Sequence, residues 1–140
     1  MKVPLNPIGK KDIHLLETAL LISSFFDPEI LEKIKDPSER LTWVDSLATA
    51  AAAFARRKAG MSIPEIAEEL GRSEATIRNH LEGKTEAGKI IERVYQNIAK
   101  AGGEIKFEIV ESKIEREKIE KIKKTIEEII QKLEDILKEI

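Results

Sequence analysis

Hydrophobic positions along this chain recur mostly at intervals of three and four, the spacing that gathers them on one face of a helix. The pattern predicts a first helix over 12–26, capped by Asp12, with Ile13, Leu16, Leu20 and Leu21 turned inward. Residues 1–9 contain Pro4 and Pro7 and are expected to be extended or loosely ordered, with Val3 and Leu5 alternating as in a short edge strand. Asp27-Pro28 opens a second short helix, proline occupying the first position where its missing N–H costs nothing; Ile30, Leu31 and Ile34 form its apolar face. Asp36-Pro37-Ser38-Glu39 repeats the start signal for a helix over 37–59 that buries Leu41, Val44, Leu47, Ala48, Ala51 and Ala55. Its alanine-rich centre, Ala50 to Ala53, lets another helix come close, and Gly60 ends it.

The next stretch, 62–82, predicts two short helices joined by a tight turn. Ser62 caps the first, Glu65 completes a capping box, and Ile66, Ala67 and Leu70 face inward. Gly71 supplies the turn, since it accepts a positive φ without strain. Ser73 caps the second helix, whose buried face is Ile77 and Leu81. A small residue at 67 is what two steeply crossing helices require. These demands define a helix-turn-helix, in which the second helix enters the major groove of DNA.

Beyond Gly83 the spacing of Ala87, Ile91, Val94, Ile98 and Ala101, widened by Ile90, predicts a helix over 85–101, closed by Gly102-Gly103. Ile105, Phe107 and Ile109 then alternate with Lys106 and Glu108, the pattern of a half-buried strand over 104–110. One strand cannot satisfy its own backbone. It must pair with residues 1–5, with another segment, or with its copy in a second chain, the pairing favoured by topology. The tail carries the clearest repeat: Ile119, Ile122, Ile126, Ile129, Leu133, Ile136 and Ile140 alternate as a and d positions of a heptad, with Ile130 and Leu137 at e. Such a stripe must be covered, either by the same chain or, the favoured reading, by self-association through 112–140. The broad seam fits a bundle better than a two-stranded zipper. The fold class expected is mainly α: a multi-helix helix-turn-helix domain over 1–110 with one short β-strand, and a C-terminal coiled-coil or bundle helix over 111–140.

Composition narrows the function. The net charge of −2 over 140 residues argues against a protein that coats nucleic acid nonspecifically, which needs a large basic excess. Residues 56–100 nevertheless carry nine basic and seven acidic side chains, a mild positive bias around the helix-turn-helix. The absence of cysteine excludes disulfides and thiolate metal sites, and two histidines, His14 and His80, are too few for a histidine cage. His14 reads as structural or exposed. A charged content of 36%, rich in Lys and Glu, matches heat-adapted composition. No signal peptide is evident and the apolar runs are too short to span a bilayer, so a cytoplasmic location is expected. No phosphate loop, metalloprotease motif or nucleophile–base pair is present, so neither enzymatic activity nor a cofactor is expected.

If the motif binds double-stranded DNA, Glu74, Ala75, Arg78, Asn79 and Glu82 form its outward face. Arg78 can pair with guanine O6/N7 or a phosphate, and Asn79 with adenine N6/N7. Arg72, Ser73, Thr76 and Lys84 are candidate backbone contacts. Arg56-Arg57-Lys58 either offsets the negative end of its helix dipole or touches phosphate. His80 is expected to pack rather than read bases.

The residues Glu65 to Gly71, Ser73-Glu74 and Thr76 to Leu81 resemble the helix-turn-helix of LuxR/FixJ-type regulators and of sigma-factor region 4. That resemblance implies that Arg78, Asn79 and Glu82 face bases. It departs from the family at Glu82, where a basic side chain is common, and at Arg72, which replaces an apolar turn residue. The arrangement from Leu41 to Val110 also resembles an archaeal regulatory domain often encoded near KaiC-like ATPases, which implies regulation without naming a target. Together these readings point to a sequence-specific, oligomeric transcription regulator. The alternative is a protein-interaction adaptor using the same core and tail.

Overall fold

The computed structural model describes residues 1–105 and 110–139, with side chains from residue 115 onward in the second stretch. Seven helices account for nearly all regular structure there: α1 Gly9–Ser24, α2 Pro28–Lys35, α3 Pro37–Lys58, α4 Ile63–Leu70, α5 Glu74–Leu81, α6 Glu86–Lys100 and α7 Val110–Lys138. The chain divides into two compact units, Met1–Ile105 and Lys106–Ile140.

In the first unit α3 is the central post, and its alanines explain why. Ala50, Ala51, Ala53 and Ala55 are all buried, so helices approach α3 from two sides. On one side Leu16, Ala19 and Leu20 of α1, Ile30 of α2 and Ile90, Ile91, Val94 and Ile98 of α6 close the larger core around Leu47. On the other, Ala53 meets Ile66, Ala67 and Ile77 of the α4–α5 pair in a smaller core. A long side chain at 53 would push that pair away, so alanine there sets how the helix-turn-helix sits on its support.

Three expectations are corrected, the start of α1, the burial of Leu41 and the favoured partner of the strand at residue 104, while the edge pairing of residues 1–5 stands as expected. Helix α1 starts at Gly9, ahead of Asp12, because the Asp12 carboxylate reaches back one turn and accepts the Ile8 amide at 3.2 Å. Leu41 is 81% exposed. Helix α2 reaches the first turn of α3 through the Arg40 guanidinium, which donates to the Ile34 carbonyl at 2.7 Å, and Lys33 lies 5.4 Å over the Trp43 indole; Leu41 stands on the side of that turn that α2 leaves uncovered. Residues 1–5 are ordered: Val3 is buried, and its amide donates to the Gly103 carbonyl at 2.8 Å. Lys2 and Glu104 form an isolated antiparallel bridge, and the Ile105 amide donates to the Met1 carbonyl at 3.0 Å.

The start of the expected strand therefore pairs with the chain's own N-terminus, not with a second copy. Residues 106–109 of that strand lie outside the described residues, and Val110 opens α7. Gly103 makes the pairing possible: its φ is 86°, and a Cβ there would come within 2.9 Å of the Val3 carbonyl oxygen. The second unit is α7, on which Ile119, Ile122, Ile126, Ile129, Ile130, Leu133, Ile136 and Leu137 are all about half exposed. No helix among the described residues is long and apolar enough to cross a membrane.

Candidate nucleic-acid interface

The helix-turn-helix is built by its caps. The Ser62 hydroxyl accepts the Glu65 amide at 3.3 Å while the Glu65 carboxylate accepts the Ser62 amide at 3.4 Å, and Pro64 sits in the first turn of α4. Gly71 ends α4 in the left-handed region, φ 64° and ψ 36°, and the Arg72 amide returns to the Ala67 carbonyl at 3.1 Å. Only two residues later Ser73 caps α5, its hydroxyl accepting the Thr76 amide at 3.1 Å and donating to the Thr76 hydroxyl at 2.9 Å. The turn is thus closed by three side-chain and backbone bonds that need only local residues.

Helix α5 turns Ile77 and His80 fully inward and Leu81 partly so. His80 joins the buried face as the sequence led us to expect, and its place is held by α6. Its Nδ1 lies 2.7 Å from the Thr85 hydroxyl, which also accepts the Gly88 amide as the cap of α6. Burial lowers the His80 pKa below its ordinary value, with the Asp45 carboxylate opposing that shift. Burial thus favours the neutral imidazole, and the ring faces α6 and not the exposed side of α5.

On the opposite side, Glu74, Ala75, Arg78, Asn79 and Glu82 are exposed as one stripe at helical spacing. The seven candidate contact residues occupy three distinct situations. Arg78 and Asn79 stand in solvent, their side chains unpaired among the described residues. Ser73 and Thr76 have their hydroxyls engaged in the cap, facing the turn. Arg72 is tied to Asp45 of α3 at 3.1 Å, and Lys84 to Glu82 at 3.0 Å. The second pair answers the departure at position 82: the acid that would repel phosphate carries its own counter-charge. The Lys84 amide also donates to the Asn79 carbonyl at 2.9 Å, so the segment after α5 is bonded back onto α5 itself.

The basic run at the end of α3 divides. Arg56 is 6% exposed, donating to Glu69 at 2.8 Å, to Glu17 at 3.1 Å and to its own helix at the Ala52 carbonyl at 3.0 Å. It joins α1, α3 and α4 and has nothing left for phosphate. Lys58 lies over the rings of Tyr95 and Phe54, at 4.6 and 5.3 Å. Arg57, exposed, donates to the Met61 carbonyl at 3.0 Å and lines a groove of about 360 Å³ with Ile63, Leu81, Glu82 and Glu92. Sequence reasoning missed Asp45 and Thr85 as partners of the motif. Thr85 was readable as a capping residue; nothing local marks Asp45.

Residues 45–86, from the middle of α3 to the first residue of α6, match the homeodomain-like domain family. Such domains are helix-turn-helix variants of three helices whose third helix is the reading one, the position of α5 here. Over 124 residues the chain is 52% identical to the uncharacterized protein MJ1053 of Methanocaldococcus jannaschii, covering 86% of this chain and 75% of that protein. The chain belongs to the same family as MJ1053. No solved structure matches it. The match to MJ1053 extends well beyond residues 45–86, so the helix-turn-helix belongs to a larger shared architecture.

Proposed function

We propose that this protein is a sequence-specific DNA-binding transcription regulator, working in the cytoplasm by binding and not by catalysis, and assembled through α7. The observation that carries the reading is the exposed, unpaired Arg78–Asn79 pair on the second helix of a homeodomain-like helix-turn-helix. An arginine fork matches guanine O6/N7 and an adjacent carboxamide matches adenine N6/N7, so two neighbouring base pairs are within the vocabulary of this face. Ser73 and Thr76 at the N-terminal end of α5, with Arg72 and Lys84 on either side of the helix, supply the phosphate contacts that fix register. Glu82 accepts from cytosine N4, or stays paired with Lys84 at the groove edge.

The local charge is modest, so affinity rests on few phosphate contacts and the salt dependence is shallow. Binding to random duplexes at about 50 mM salt, followed by selection of the retained sequences, is expected to yield a preferred site. Arg78→Ala then relaxes the choice at one base pair by about 1–3 kcal/mol without a matching loss on random DNA. Absence of any salt-dependent binding, with a protein partner recovered after nuclease treatment, would instead make the helix-turn-helix an adaptor core.

A further inference from the structure

The α7 helix leaves eight isoleucine and leucine side chains about half exposed, and the charges on either side of that stripe say what covers it. We infer that two copies of the chain pair through α7 in antiparallel orientation, Ile119 of one helix packing at Ile136 of the other and Ile126 at Ile129. The inference rests on the self-association proposed above and adds its direction and register.

In heptad terms Lys118, Thr125, Lys132 and Glu139 hold the g positions, and Arg116, Lys123, Ile130 and Leu137 the e positions. Side by side in parallel, g meets the following e of the neighbour, which sets Lys118 against Lys123 in both flanks. Isoleucine at both a and d also disfavours a parallel pair. Upstream, Ser112 and Glu115 take the a and d positions, so the seam does not extend in that direction.

Head to tail, g meets g and e meets e. In the register that covers every a and d residue from Ile119 to Ile136, Lys118 falls opposite Glu139 twice by symmetry. Ile130 then falls opposite Lys123, and Leu137 opposite Arg116. Those long basic side chains lay their methylene stems over the two apolar e residues while their charges stay in water. A shift by one heptad uncovers Ile119 and places Lys132 against its own copy. One arrangement therefore covers the stripe and both flanks, so a two-stranded antiparallel pair takes the place of the wider bundle that the breadth of the seam alone suggests.

Antiparallel pairing also fixes how far apart the two α7 helices begin. The two Val110 residues lie about 50 Å apart along the coil axis, whereas parallel pairing would bring them side by side.

Light scattering of the full chain should give twice the chain mass. Sedimentation equilibrium of Lys118→Glu should show a dimer dissociation constant raised about tenfold, and adding Glu139→Lys should restore it to within about twofold. Because the chain has no cysteine, Glu117→Cys carries a single spin label. The two labels should lie at least 30 Å apart, from about 21 residues of helical rise. A monomer would remove self-association itself. A dimer that Lys118→Glu tightens, with labels at roughly 20 Å or less, would leave self-association standing and overturn the antiparallel arrangement.

Discussion

Gly88 of α6 lies directly against the main chain of His80 in α5, so close that a Cβ at residue 88 would sit 3.0 Å from both the His80 carbonyl carbon and its Cα and still nearer the carbonyl oxygen. The contact brings the end of α5 onto α6, where Thr85 receives the His80 ring. Here backbone meets backbone, and no rotamer change can relieve a methyl group. Gly88→Ala is therefore expected to destabilise the protein by about 1–3 kcal/mol, even though alanine is the better helix former by up to about 1 kcal/mol. Urea unfolding of the full chain measures it. An unchanged or higher midpoint would show that α5 and α6 can part at no cost.

The same junction carries a pH dependence. The His80 pKa is lowered in the folded state, chiefly by burial, from an ordinary value of 6.5. As pH falls through that value the unfolded chain takes up the proton first, so the unfolded state is favoured progressively in the interval just below 6.5. Above it His80 is neutral in both states and contributes no pH dependence. His80→Gln keeps a polar group facing Thr85 but cannot be charged, so its stability should change less between pH 7.5 and pH 5.5 than that of the natural chain. Parallel stability curves for the two proteins would remove His80 as the cause.

Arg56 is the other fixed point of the helix-turn-helix support, joining α1, α3 and α4. It is held by Glu69, Glu17 and the Ala52 carbonyl. Both carboxylates keep some exposure and can rehydrate when the cation is removed, so the loss falls below the full cost of stranding a buried charge. Arg56→Ala is expected to cost about 2–3 kcal/mol, and Arg56→Lys to recover only part, since a single ammonium cannot span three acceptors on three helices. Thermal unfolding compares the two; equal stability of Arg56→Lys and the natural chain would mean that charge alone is needed.

How much of this was legible depended on how far the deciding contact lay along the chain. The Ser62–Glu65 box, the left-handed Gly71 and the Ser73 cap involve residues within three or four positions, and each was read from the sequence as it stands in the structure. Leu41 was misplaced because periodicity marks a face of α3 but not where α2 stops covering it. Arg56 resembled its exposed neighbours Arg57 and Lys58; its partner Glu17 is 39 residues away. Asp45, 27 residues from Arg72, was invisible for the same reason. The strand start at Glu104 found residues 1–5 as its partner because Gly103 admits Val3, a close approach that no alternation pattern encodes.

The ion pair between Glu82 and Lys84, 3.0 Å long, gives the sharpest test of the DNA-reading face. Both side chains are exposed, so the pair adds little to stability and can be altered without unfolding risk. In the free protein Glu82 occupies Lys84, and a phosphate must compete with that carboxylate for the ammonium. Glu82→Gln removes the competitor and one repulsive charge together. Affinity for random duplex should rise several-fold at low salt, and the slope of log affinity against log salt should steepen by about one phosphate contact. Lys84→Ala should do the reverse, weakening all sequences alike and leaving Glu82 uncompensated at the groove edge. Loss of site preference in Glu82→Gln, with no gain on random DNA, would place Glu82 on a cytosine instead. If neither variant moved affinity or slope, α5 would not be the surface that meets DNA.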